Sequence, residues 1–249
     1  MSSVAARVVE PINLASHVEL LNNRYADASP SEVLRAMIQD EFPGKVALVS
    51  SFGTESAALL HMISQIDKAA PVVFLDTGKL FGETKRYRDQ LIKLLGLSGV
   101  QSVTPDVAAL AARDPKGVLW SQNPDACCAL RKVEPLERAL RPYDAWFTGR
   151  KAFQAASRAG LPLFEIENGR IKINPIVRWT KADIEAYFTA HDLPRHPLEA
   201  DGYLSIGCMP CTSRVEAGED ARAGRWRGSD KIECGIHLPA GQTPARAEP

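Results

Sequence analysis

Short apolar, β-branched runs that alternate with helical stretches constrain this chain most. Lys45–Ser50 reads KVALVS and Val72–Asp76 reads VVFLD. Between them, Glu55–Ile66 carries Ala, Leu and Met at helical spacing. A strand, helix and strand within about 30 residues make a βαβ unit. The pattern continues with a helix over Glu83–Leu95, a strand over Val100–Val103, a helix over Asp106–Ala112 capped by Thr104 or Asp106, and a buried strand over Ala145–Gly149. Such alternation predicts an α/β fold with a mostly parallel sheet and helices on both faces. Leu163–Ile173 differs, because two short alternating runs flank Asn168-Gly169, a type I′ hairpin signal. Thr180–His191 predicts a helix opened by a capping box from Thr180 to Asp183. Beyond Pro197, Gly, Pro and charged residues dominate. Residues 1–197 therefore read as one α/β domain, and 198–249 as a loop region with a flexible C-terminal tail rather than an independent domain.

The 249 residues hold 30 Lys and Arg against 30 Asp and Glu. A net charge of zero argues against a broad surface for nucleic acid or membrane, and leaves room for a local basic pocket. No apolar run approaches the roughly 20 residues needed to span a bilayer. Met1–Val18 interleaves Arg7, Glu10, Asn13 and His17 with apolar residues, unlike the core of a secretory signal. The expected location is cytoplasmic. Five cysteines are too few for a disulfide scaffold and, in a reducing compartment, read as metal ligands or redox groups.

In an open α/β sheet, ligands bind at the carboxyl ends of the strands. Two loops are expected there. Ser51, Phe52, Gly53, Thr54, Glu55 and Ser56 follow the first strand and open a helix; their hydroxyls and amides suit an anion. Asp76, Thr77 and Gly78 follow the second strand. Read alone, both loops serve equally well as turns with helix caps. No Gly-Lys-Ser/Thr follows, so the first is not a Walker A loop.

Cys127 and Cys128 are adjacent, and Cys208 and Cys211 form a CxxC about 80 residues on. Adjacent cysteines make a strained disulfide. They also break the C-x2–4-C spacing typical of zinc. An iron–sulfur cube offers separate iron corners and accepts sulfurs from neighbouring residues; the plain alternative is two small core residues. Cys234 is left over, in the polar tail, where burial is not expected. Arg222, Arg225, Arg227 and Lys231 precede it and would favour its thiolate, while Glu233 opposes that. His237, three residues on, offers a cation or proton donor. On these residues alone, Cys234 is equally a nucleophile or an incidental surface thiol.

Taken in order, SFGTES, LDTGKLF, CCALRK, CMPC, RAGRW and ECGIH resemble the assimilatory sulfonucleotide reductases, specifically the bacterial iron–sulfur adenylyl-sulfate (APS) reductases. The likeness runs from about residue 45 to 237 and rests on six motifs in sequence. It implies a fold related to the adenine-nucleotide ATP pyrophosphatases, whose first loop reads SGGxDS. Here Phe52 replaces a glycine and Glu55 the aspartate, which argues against cleaving ATP. The resemblance implies Cys234 as nucleophile, forming a thiosulfonate with APS and releasing AMP; thioredoxin or glutaredoxin then acts in trans to release sulfite. It implies that Lys132, Arg158, Arg222, Arg225 and His237 screen the anionic substrate, and that Asp76–Gly78 lie beside the nucleotide. Cys127, Cys128, Cys208 and Cys211 would hold one 4Fe-4S cluster. Gly149–Arg158 departs from the family's GxRRxQSxxR at Lys151 and Ala155, retaining Arg150 and Gln154 as contacts. The cysteine pairs favour APS over its 3′-phosphorylated analogue (PAPS), with reduction of PAPS or of both nucleotides as the alternative, and a homo-oligomer is compatible. An adenylating tRNA sulfur-transfer enzyme would want an intact SGGxDS loop and a basic face. An iron–sulfur redox sensor would want a DNA-binding element; the sequence carries no helix-turn-helix signal.

Overall fold

A computed structural model describes residues 13–155, 158–216, 218–229, 231 and 233–237. The tail beyond residue 237, to which the sequence assigns mobility, lies outside them. Six strands form one sheet: β1 (Val46–Val49), β2 (Val72–Leu75), β3 (Val100–Val103), β4 (Ala145–Phe147), β5 (Phe164–Glu167) and β6 (Arg170–Ile173). Their order is β3-β2-β1-β4-β6-β5, with β5 alone antiparallel. All four β2 residues are buried, as a sheet covered on both faces requires. Asn168 and Gly169 both take positive φ, 50° and 73°, and turn β5 into β6 as the hairpin signal predicts.

Helices α1 (Leu14–Arg24), α2 (Pro30–Ala36), α3 (Ser56–Ser64), α4 (Gly82–Leu95), α5 (Val107–Arg113), α6 (Leu119–Gln122), α7 (Pro124–Cys128), α8 (Glu134–Leu140) and α9 (Lys181–Ala190) cover the sheet. The Thr180–Asp183 capping box opens α9, and Asp106 caps α5. The main core joins α2, α3 and α4 to one face, with Leu34, Leu60, Phe74, Tyr87 and Phe147 essentially inaccessible. A smaller cluster of Ala47, Val73, Leu75, Leu136, Leu140 and Trp146 packs α8 on the other. The sequence reading gave no helix before β1. There α1 lies along the edge: Asn22 Nδ2 donates to Phe164 O at 2.9 Å and its Oδ1 accepts from Phe164 N at 3.1 Å. That reciprocal pair covers part of β5, an edge that would otherwise offer unpaired backbone groups.

Between α7 and α8 the chain widens into a π-helical segment, Ala129–Val133. Pro135 has no N–H to close an ordinary α turn onto Arg131. Such widened turns occur often at functional sites, and this one carries Arg131 and Lys132. Residues 198–237 return across the carboxyl ends of the strands, anchored where Thr54 Oγ1 donates to Leu204 O (3.2 Å) and Met209 N to Lys79 O (2.7 Å). Among the described residues, no helix is long and apolar enough to cross a membrane.

Candidate active site

Strand order reverses between β1 and β4, which run parallel and side by side. A crevice opens at the carboxyl ends there, where such sheets bind ligands. It holds a cleft of about 210 Å³. Ser51, Gly53, Thr54, Glu55 and Ser56 line one part of it; Gly149, Arg150, Lys151, Phe153 and Gln154 line another. The two parts are tied together. Glu55 accepts from Gln154 Nε2 (2.7 Å) and pairs with Lys151 Nζ (2.7 Å). Phe52 belongs to the same loop but turns its ring into the core, edge-on to Phe74 at 5.4 Å. Its φ of 49° is one that non-glycine residues rarely adopt, in keeping with a position that is glycine in the ATP-cleaving loop.

The far end of the cleft is cationic. Lys132, Arg158, Arg222, Arg225 and His237 all line it, and so do Cys234 and Glu233. Lys132 Nζ lies 3.7 Å from Cys234 Sγ. While Cys128 keeps its proton, a hydrogen bond from it, aided by Lys132 and Arg225 against the opposing effect of burial, lowers the Cys234 thiol below the ordinary cysteine range; with Cys128 bound to a metal, the cations alone favour the thiolate. Burial pulls Lys132 down, yet the sulfurs of Cys208, Cys234 and Cys128 outweigh it and keep the ammonium charged. Arg225 Nε and His237 Nδ1 are buried without a hydrogen-bond partner. Polar atoms left so usually have a ligand or water to meet.

The cysteine pairs meet behind this end. Cys127, Cys128, Cys208 and Cys211 are free thiols lining one small cavity with Trp120, Arg131, Lys132, Arg225 and Trp226. Among the described residues, no three His, Cys, Asp or Glu side chains close around a single metal ion. Burial pushes Cys127 up to about 11 and raises Cys211 as well. Four buried thiolates need cationic compensation; Arg131, Lys132 and Arg225 stand round the same cavity. A soft, all-sulfur donor set with that basic lining fits a polynuclear iron–sulfur group.

Four expectations need correction. Phe52, expected to contact the substrate, puts its ring in the core and not in the cleft. Asp76, Thr77 and Gly78 are not among the residues lining the cleft: Thr77 meets the cysteine side, its Oγ1 3.2 Å from Cys208 Sγ and its carbonyl accepting from Arg131, while Lys85 of α4 holds Asp76. Cys234 is 8% exposed rather than a surface thiol, because Glu233, Ile236 and His237 each find partners in the domain. His237 is disfavoured as a cation in the substrate-free site. Burial, reinforced by Lys172, Arg150, Arg158 and Arg222, holds it well below the imidazole range, and its ring lies parallel to Trp146.

Three residues escaped the sequence reading. Trp226, at φ 50°, spreads its ring beneath Arg225 (4.4 Å), Lys231 (5.6 Å) and Arg222 (5.8 Å). Gly207 leaves room for the Arg225 guanidinium, whose Cζ a Cβ there would meet at 2.6 Å. Glu233 accepts from two arginines. The only signals were their places inside or beside RAGRW, CMPC and ECGIH.

A family model described as the phosphoadenosine phosphosulfate reductase domain matches residues 45–214. Adenosine 5′-phosphosulfate reductase of Mesorhizobium japonicum is 54% identical over 218 residues, 88% of this chain and 86% of that one. Phosphoadenosine 5′-phosphosulfate reductase of Gloeobacter violaceus is 38% identical over 88% of this chain and 93% of its own. The crystal structure of a Candida auris phosphoadenylyl-sulfate reductase, a phosphate complex, superimposes with a TM-score of 0.69 at 30% identity, covering 82% of this chain and 98% of that one. FMN adenylyltransferase of Candida glabrata, at 13% identity and a TM-score of 0.52 over 82% of this chain and 77% of its own, shares the fold. Matched over most of its length by that domain model, and by reductases across nearly all of it, the chain belongs to the phosphoadenosine phosphosulfate reductase family.

Proposed function

We propose that this chain reduces adenosine 5′-phosphosulfate to sulfite and AMP, with a thioredoxin- or glutaredoxin-type dithiol protein as reductant, in the cytoplasm. One observation carries the reading: a buried thiol with Lys132 at 3.7 Å, at the cationic end of a cleft beside a nucleotide-type loop. The Cys234 thiolate attacks the sulfate sulfur. An S–S bond forms, the S–O bond to the phosphate breaks, and AMP leaves with the electron pair. A thiolate of the reductant then attacks Cys234 Sγ; sulfite departs with the S–S electron pair and a mixed disulfide remains. The reductant's second thiol displaces Cys234, so the dithiol is oxidised as sulfur falls from +6 to +4.

Bringing a thiolate to a sulfate requires fixed cations in a site shielded from water. Lys132 and Arg225 supply them, and His237 offers a hydrogen bond. Cys127, Cys128, Cys208 and Cys211 would hold one 4Fe-4S cluster. When bound, it supplies a rigid, charged tie between the Cys127–Lys132 stretch and the CxxC turn, and fixes Lys132 toward the sulfate. Residues 1–197 then act as the nucleotide- and cluster-binding domain, and 198–249 bring the CxxC, the basic segment and the nucleophile to it. The 3′-phosphorylated nucleotide is the second reading, since the Gloeobacter relative carries that name. Arg150 is held by Glu165 and Asn174, and Lys151 by Glu55; cations so engaged favour the nucleotide without a 3′-phosphate.

The test is sulfite release from APS and from PAPS with thioredoxin and no ATP. The reading expects sulfite, with the larger kcat/KM for APS. No sulfite from either nucleotide rejects the activity; a larger kcat/KM for PAPS rejects the assignment of APS.

A further inference from the structure

Glu233 precedes the cysteine and is only 7% exposed. Its Oε2 accepts from Arg158 Nε (2.8 Å) and pairs with Arg158 Nη2 (2.7 Å). Its Oε1 accepts from Arg222 Nη2 (2.9 Å) and from the backbone N–H of Cys234 (2.8 Å). One carboxylate therefore joins Arg158 and Arg222 of the cationic end to the backbone of the next residue. Lys132 Nζ also meets Cys234 Sγ at 3.7 Å, and the remaining packing contacts of the described residues of this segment are apolar or aromatic. Ile236 packs against the Leu75–Leu136–Trp146 cluster, and the His237 ring lies over Trp146. A Cβ at Gly235 would come within 3.1 Å of Val133 Cγ2, so the backbone seats closely on the π-helical segment that carries Lys132.

We propose that Glu233 is a positioning residue: its clasp on Arg158 and Arg222 holds Cys234 in the cleft for attack on the nucleotide and must open before a second protein reaches the sulfur. The proposal rests on the reading of Cys234 as the nucleophile. It follows from burial. At 8% exposure Cys234 faces the cleft and not an approaching protein; Lys132 holds its sulfur, and the charged contacts of Glu233 hold the backbone beside it against release. The clasp favours the first half-reaction and retards the second. A residue serving stability alone would slow both.

Glu233→Gln keeps the shape and removes the charge. Charge-assisted contacts of this kind typically change an equilibrium by about tenfold or more when lost. Three readouts apply: hydrogen exchange of the Glu233–His237 backbone by mass spectrometry; single-turnover formation of the Cys234 adduct from APS without reductant; and discharge of that adduct by dithiothreitol. The variant should raise exchange in this segment about tenfold while β1 and β4 stay protected, slow adduct formation, and hasten discharge. Unchanged exchange, or both half-reactions slowed together, would overturn the clasp. Arg158→Lys keeps the charge but loses the two-pronged contact; it should loosen the same segment, and serves if Glu233→Gln fails to fold. Absence of any adduct on wild-type Cys234 rejects the nucleophile reading, while the exchange data still decide the clasp.

Discussion

Substituting alanine for Gly207 perturbs the site without touching a charged residue. Gly207 does not need left-handed backbone, so the peptide accepts a side chain; the obstacle is Arg225. A Cβ would lie 2.6 Å from Arg225 Cζ and 3.1 Å from Nη1, well inside van der Waals contact. The guanidinium must move, and it is confined by the Trp226 ring 4.4 Å away. Displacement forfeits a charge-assisted contact with the anion, about 1.5–3 kcal/mol. Part of a cation–π contact, about 0.5–2 kcal/mol, is lost from the resting enzyme as well. Only the first of these distinguishes the transition state, so kcat/KM for sulfite release should fall about 10–150-fold. Arg225→Ala should lose as much. Because both changes act through one group, the double variant should match Arg225→Ala within about 0.5 kcal/mol. Wild-type kcat/KM in Gly207→Ala, or losses that multiply in the double variant, would refute the placement of Arg225 at the reacting anion.

Two further outcomes follow from the cysteine cavity and from a buried histidine. Cys128→Ser and Cys211→Ser should each abolish the brown chromophore of anaerobically purified protein; stoichiometric zinc without iron or acid-labile sulfide in the native chain would reject the cluster. His196 is 1% exposed, accepts from Leu198 N through Nδ1 at 3.2 Å, and meets Thr84 Oγ1 through Nε2 at 3.1 Å. Burial lowers its pKa to about 4, so between there and the unfolded value of about 6.5 the unfolded chain binds the proton more readily. Stability from this group is complete above about pH 6.5 and falls as pH drops toward 4, by at most about 3 kcal/mol. Denaturant titrations across that range should show the decline, and His196→Gln should flatten it. An unchanged acid limb in the variant would refute the assignment.

Much of the fold was legible because its signals are local. The apolar runs marking β1, β2 and β4, the Asn168-Gly169 turn and the Thr180–Asp183 box each depend on neighbours a few residues away. That the two cysteine pairs form one set was legible for a different reason: two sulfur pairs in one chain read as a shared ligand or redox set, and all four line one cavity. What escaped depends on distant partners. Nothing near Asn22 announces that it pairs with Phe164, more than 100 residues on. The polar tail gives no sign that Glu233 finds Arg158 and Arg222, and that contact is why Cys234 is buried. Asp76–Gly78 looked like a nucleotide loop because it follows a parallel strand; Arg131 and Cys208 draw Thr77 to the cysteine side. Phe52 shows the same limit, since no periodicity tells a loop phenylalanine lining a cleft from one whose ring enters the core.

In the proposed reaction Cys234 takes the sulfonyl group from the nucleotide. Intact-protein and peptide mass spectrometry of the wild-type chain, incubated with APS but no reductant, tests it most directly. One SO3 group, about 80 Da, should appear on the peptide carrying Cys234 and vanish on addition of thioredoxin as sulfite is released. Cys234→Ser should still bind APS and gain no such mass, because its hydroxyl stays protonated near neutral pH. An adduct on another cysteine, or full turnover by Cys234→Ser, would contradict the account.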